Sequence, residues 1–82
     1  MNTSMPHLQL KQLRQLITVA EKGSIRQAAE ALSIAQPALS RSIRSIEENL
    51  QVKLMNRGPR GIELNDYGKT LVNYGKIIET NL

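Results

Sequence analysis

The sequence predicts a mainly α fold: three helices, a two-stranded β-hairpin and a fourth helix at the C-terminal end. Three observations predict it. Apolar residues recur every three or four positions through residues 10–50, the period shortens to two on either side of a Gly-Pro-Arg-Gly stretch, and the helical period returns after Asn65. At 82 residues the chain is one small domain with a modest core.

Each element has its own signal. The first helix carries Leu10, Leu13, Leu16, Ile17 and Ala20 and ends at Lys22-Gly23, with Gly23 as its C-cap. Ser24 and Gln27 stand at capping-box spacing, and Ile25, Ala28, Ala29 and Leu32 give a short second helix whose paired alanines allow close approach by another. Only Ser33, Ile34 and Ala35 intervene before Gln36-Pro37. Proline suits the first turn of a helix, because its missing N–H would be unpaired there anyway. The third helix so begun turns Leu39, Ile43, Ile46 and Leu50 inward. At about 100° per residue, Pro37, Ala38, Arg41, Arg44, Ser45 and Glu48 then face outward, with Ser40 and Ser42 on the flanks. Two helices joined by a tight turn, the second amphipathic, make a helix-turn-helix.

Beyond Leu50, Val52 and Leu54 alternate with Lys53 and Met55, and Ile62 and Leu64 with Glu63, which predicts a hairpin. Pro59 and Gly61 suit a type I turn over residues 58–61 that holds Arg60 at the exposed tip. Asn65 caps the fourth helix and Asp66 complements its dipole. Along that helix Tyr67, Leu71, Tyr74 and Ile78 form an apolar seam toward Leu82 with no later element to cover it. Such a seam calls for a second copy or for further sequence.

Composition narrows the function classes. The absence of cysteine excludes disulfides and thiolate metal sites. The one histidine, His7, excludes clustered imidazole ligands and reads as an end-of-chain residue without a role. No nucleophile stands beside a base, so an enzyme is the weakest class. No secretory leader and no membrane span is expected, which predicts a soluble cytoplasmic protein. Eleven Lys and Arg against seven Asp and Glu give a net charge of +4, which permits a polyanionic partner. Tyr67 and Tyr74 are the sole aromatics, so the stacking platform of single-strand binding is missing and duplex is the favoured form.

The residues from Gln36 to Arg44 match what a major groove requires. Gln pairs with adenine, Arg with guanine, Pro and Ala touch a thymine methyl, and Ser reaches a base or a phosphate. The alternative is a solvated surface on which Arg44 and Glu48 pair at i, i+4. Ser24 and the N-terminus of the second helix suit a phosphate oxygen, with Arg26 adjacent, although Ser24 also serves as a plain cap. Arg60 at a hairpin tip suits a narrow minor groove, with Arg57 and Lys53 near the backbone. Its alternative is a solvated turn charge.

With these motifs in place, the run LKQLRQLITVAEKGSIRQAAEALSIAQPALSRSIRSIEENLQVKLMNRGPRGIELNDYG resembles the N-terminal winged helix-turn-helix domain of the LysR-type transcriptional regulators. The spacing of VAEKGS, AAEAL, QPALSRSI, IEENL and RGPRGIEL carries the resemblance over nearly the whole chain. It implies a bacterial regulator with a winged helix-turn-helix over residues 1–64, a linker helix over 65–82, and a small-molecule effector on a C-terminal domain absent here. It also implies that positions matching Gln36, Pro37, Ser40 and Arg41 enter the major groove and that Arg60 reaches the minor groove. The linker helix would pair two copies into a homodimer, with higher oligomers in the full-length protein.

The chain also departs from that pattern. Leu16, Ile25 and Met55 stand where phenylalanine is usual, which makes the core aliphatic. Ala35 replaces a serine before Gln-Pro and removes a hydroxyl. Gln51 replaces a frequent glycine, and Asn65 and Tyr67 replace threonine and alanine. The leading reading is a dimeric, sequence-specific duplex binder with Ala38, Arg44 and Ser45 added to the base-facing set and Ser42 to the phosphate set. The competing reading is a protein-interaction module that recruits a partner through Tyr67, Leu71, Tyr74 and Ile78.

Overall fold

The computed structural model describes residues 9–80; His7 lies outside them, as does the end of the fourth helix toward Leu82. The order is α1 (Leu10–Lys22), α2 (Ile25–Leu32), α3 (Gln36–Leu50), β1 (Met55–Gly58), β2 (Gly61–Leu64) and α4 (Asp66–Thr80). None of the helices among the described residues is long and apolar enough to cross a membrane.

The helix boundaries follow local chemistry. Gln12 Oε1 accepts from the Gln9 N–H at 3.1 Å and starts α1, a cap the sequence reading did not pick out. Gly23 ends it in the left-handed region at φ 67. Ser24 Oγ accepts from the Gln27 N–H at 3.2 Å and starts α2, as its spacing predicts. Ala35 offers α3 no side-chain cap, and Pro37 opens the helix instead. Gln51 then closes α3 with φ 59, a conformation that explains why glycine is comfortable at this position.

The core is aliphatic. Leu16, Val19, Leu39, Ile46 and Leu54 are fully buried, and Ile43, Ile25, Ala28 and Ala29 complete the wall between α1, α2 and α3. Val19 was absent from the predicted stripe of α1, whereas Leu10, included there, is 36% exposed.

One expectation needs correction. The first strand begins at Met55 rather than Val52, and Leu54 and Met55 are both buried instead of alternating. The reason is that the Leu54 N–H is taken by Glu47 Oε2 at 2.8 Å, so it does not join the ladder. On α4 the stripe buried within the chain is Gly68, Val72 and Gly75, with Gly68 against Leu54 and Leu64 and Gly75 against Leu13 and Ile17 of α1, a stripe that the sequence reading did not pick out.

The hairpin pairs Met55 with Leu64 and Gly58 with Gly61, leaving Pro59 and Arg60 as a two-residue loop. Neither loop residue has a positive φ, as a type I turn requires. Gly61 does, at φ 112, and a Cβ there would stand 2.6 Å from the Gly23 carbonyl oxygen. The next N–H, of Ile62, donates to that same oxygen at 3.1 Å. Glycine thus lets the tip end of the hairpin sit against the corner between α1 and α2.

Glycine has a different use in α4. A Cβ on Gly68 would lie 2.1 Å from the Leu54 carbonyl oxygen, whereas one on Gly75 would meet the flexible end of Ile17 at 3.1 Å. Gly68→Ala is therefore expected to cost about 2–3 kcal/mol through forced displacement. Gly75→Ala should stay within about 1 kcal/mol, because the helix-propensity gain offsets a small shift of Ile17. Urea denaturation of the two variants checks the ordering.

Candidate nucleic-acid interface

Because α3 turns Leu39, Ile43 and Ile46 into the core, its opposite side is left to solvent. Gln36, Pro37, Ala38, Arg41 and Arg44 are exposed there, with Ser40 and Ser45 half-buried on the flanks. The pairing of Arg44 with Glu48, the alternative reading of this face, is not among the ion pairs of the described residues.

The hairpin continues this face. Between α3 and β1 runs an open groove lined by Ser40, Arg44, Glu47, Lys53 and Arg57. Arg60 stands three residues beyond Arg57, exposed at the tip. Arg41, Arg44, Lys53, Arg57 and Arg60 take part in no ion pair among the described residues. Five free cations on one helix face and its adjoining hairpin make a strongly positive surface, in which clustered charge attracts a polyanion.

The start of α2 lies beside this region, since the Ile62 N–H holds the carbonyl of Gly23, the residue before Ser24. Arg26 sits on the first turn and pairs with Glu30 at 3.5 Å. Both side chains of that pair are more than two-thirds exposed, so the pairing is weak and leaves the guanidinium available.

Ser42 makes a contact that the sequence reading did not anticipate. Its hydroxyl donates to Oε1 of Gln15, a side chain of α1 that is 9% exposed. That hydrogen bond ties α3 to α1 across the core, and it occupies the proton that a phosphate contact would need. The sequence signal was faint: Gln15 interrupts the apolar side of α1, where a polar residue must find a partner.

On α4, Leu71 is half-buried against the chain's own core. Tyr67, Tyr74, Ile77 and Ile78 are 65, 62, 57 and 42% exposed. Ile77, not included in the predicted seam, widens it. No group of acidic or histidine side chains among the described residues is arranged to hold a metal ion.

Three helices with a helix-turn-helix, a basic hairpin beside the second of its helices, and a long helix leaving the hairpin define a winged helix-turn-helix. Comparisons agree. The sequence pattern of the family described as "Bacterial regulatory helix-turn-helix protein, lysR family" matches residues 10–69. The SDS degradation transcriptional activation protein of Pseudomonas sp. (strain ATCC 19151) is 42% identical over 67 residues, which span 82% of this chain and 22% of that protein. The probable RuBisCO transcriptional regulator of Synechocystis sp. is 42% identical over 71 residues, 87% of this chain and 21% of that one. Among solved structures, the BenM_DBD/catB site 1 DNA complex superposes with a TM-score of 0.86 at 36% identity, covering 90% of this chain and 83% of that chain. The CbnR_DBD-DNA complex gives 0.84 at 34% identity, covering 89% and 84%. The chain belongs to the lysR family of bacterial regulatory helix-turn-helix proteins. It spans about a fifth of the length of the curated relatives it matches.

The Ser42–Gln15 contact is separable from the charged surface. Ser42→Ala leaves the buried Gln15 oxygen without its donor and should lower stability by about 1–2 kcal/mol, read as a lower midpoint in urea.

Proposed function

We propose that this chain is the duplex-binding unit of a transcriptional regulator and reads DNA sequence with α3 while its wing grips the neighbouring groove. One observation carries this: the solvent face of α3 and the hairpin beside it present five arginine and lysine side chains free of internal acids. The full-length relatives and the DNA complexes of two similar domains support the reading.

The parts divide as follows. The N-terminal half of α3 lies in the major groove. There Gln36 pairs with adenine edges, Arg41 and Arg44 with guanine, Pro37 and Ala38 touch thymine methyls, and Ser40 and Ser45 complete the set. Arg60 enters the minor groove, where narrowing strengthens the negative potential. Lys53, Arg57, Arg26 and Ser24 with the start of α2 hold phosphates and fix register. Ser42 is left out, since Gln15 holds its hydroxyl.

Two copies pair through Tyr67, Tyr74, Ile77 and Ile78, with Leu71 at the edge of the patch, so that two recognition helices face two half-sites. Higher oligomers and a small-molecule effector belong to sequence outside this DNA-binding unit. The work is regulatory, not catalytic, and its setting is the cytoplasm, where bacterial DNA lies.

Binding measured by fluorescence anisotropy should weaken with salt at about 0.9 log unit of affinity per log unit of salt for each phosphate neutralised. Lys53→Ala and Arg57→Ala should each lower that slope by about one, uniformly across sequences. Arg60→Ala should weaken binding most where the flank is A·T-rich. A slope near zero in the unaltered chain would refute the reading.

Sedimentation velocity tests the dimer. Tyr74→Asp puts a charge in the centre of the exposed patch without touching the core, so it should give a monomer with an unchanged melting temperature. A variant that still sediments as a dimer would remove α4 from the interface.

A further inference from the structure

The peptide of Leu54 joins three elements. Its N–H donates to Glu47 Oε2 of α3 at 2.8 Å, and its C=O accepts from the Asn65 N–H, just past β2, at 3.0 Å. Asn65 uses both ends of its side chain nearby. Nδ2 donates to the Lys53 carbonyl at 2.8 Å, and Oδ1 accepts from the Gly68 N–H in the first turn of α4 at 2.9 Å. The root of the wing is thus held by the recognition helix on one side and by the start of α4 on the other.

Glu47 is the unexpected member. It is an acid on a groove whose other charged walls are Arg44, Lys53 and Arg57, and a carboxylate there repels phosphate. A site selected for charge alone would not contain it. It makes no ion pair with those three cations among the described residues; its oxygen is spent on a backbone N–H. That bond ends the ladder at Met55 and fastens the residue before β1 to the last two turns of α3.

We infer that Glu47 is a positioning residue for DNA binding: through the Leu54 N–H it holds the wing at the angle to α3 that lets Arg60 reach its groove while α3 occupies the other. The inference rests on the DNA-binding reading above and adds to it a residue that touches no DNA. The acceptor matters here, and the charge is incidental.

Three substitutions separate the two properties. Glu47→Gln keeps the acceptor and removes the charge. Glu47→Asp keeps the charge and withdraws the oxygen by one methylene, and Glu47→Ala removes both. Each is made alone and with Arg60→Ala, then titrated by anisotropy against the labelled duplex that the wild-type chain recovers from a random-sequence library. Melting curves identify the temperature at which every variant is folded; where Glu47→Ala is not, Glu47→Asp carries the comparison.

In the wild-type and Gln backgrounds, Arg60→Ala should weaken binding about tenfold. In the Asp and Ala backgrounds the same change should cost under about twofold, because the wing no longer delivers Arg60. Equal losses in all four backgrounds would overturn the inference, as would Asp behaving like wild type while Gln behaves like Ala. A wild-type chain that recovers no duplex overturns the DNA-binding reading itself and this inference with it, whereas one that binds its duplex equally well with and without Arg60 overturns this inference and the minor-groove role of the wing alone.

Discussion

Burial of Leu39, Ile43 and Ile46 against α1 and α2 is the constraint on which the rest depends. Each such side chain contributes about 1.5–3 kcal/mol when removed from water, whereas an exposed ion pair contributes about 0–1 kcal/mol. The apolar stripe therefore sets the rotation of α3 about its own axis, and the polar face follows. Arg41 and Arg44 project outward because Leu39 and Ile43 project inward. Ala28 and Ala29 of α2, both buried, leave room for α3 to settle this closely. The Ser42–Gln15 hydrogen bond adds direction to the same contact.

Electrostatics then acts on a surface that packing has already placed. Two of the acids near this surface are occupied. Glu30 is engaged with Arg26, and Glu47 with the Leu54 backbone. The cations of α3 and the wing form no ion pair among the described residues. A net charge of +4 is unremarkable for a chain of this size; the gathering of five unpaired cations on α3 and beside it is what gives the face its field. In the proposed complex that field draws the duplex in and the side chains of α3 select among sequences, since phosphate contacts carry affinity and base edges carry specificity.

Much of this was legible in the sequence, for identifiable reasons. The end of α1 and the starts of α2 and α3 carry explicit punctuation in Gly23, Ser24 and Pro37, and a helical period of apolar residues predicts which face is buried. The hairpin tip was equally plain from Gly-Pro-Arg-Gly. What escaped was everything that depends on a partner distant in sequence. Gln15 and Ser42 are 27 residues apart, so neither announces the other. The start of β1 was misplaced because Leu54 has the alternation of a strand residue while its N–H goes to a side chain of α3, and alternation is silent about that. The role of Gly68 depends on a carbonyl fourteen positions earlier, which no helical pattern encodes.

The fourth helix is the most instructive of these cases. Tyr67, Leu71, Tyr74 and Ile78 were read as one seam because large apolar residues dominate a periodicity search. A neighbouring stripe, Gly68, Val72 and Gly75, is buried within the chain because small residues bring backbones together, Gly68 beside Leu54 and Gly75 beside Ile17 of α1. At about 100° per residue the two stripes are adjacent on the helix, with Leu71 between them and half-buried. One helix thus has two apolar faces of different kinds. The small-residue face is filled within the chain, and Arg14 reaches Glu79 at 3.0 Å to hold its far end. The large-residue face remains in water, where four exposed tyrosine and isoleucine side chains on a domain this small are an unfavourable arrangement unless something covers them. A second copy presenting the same face satisfies that requirement without any new surface. It also relates two recognition helices by a twofold axis, as a symmetric pair of half-sites demands.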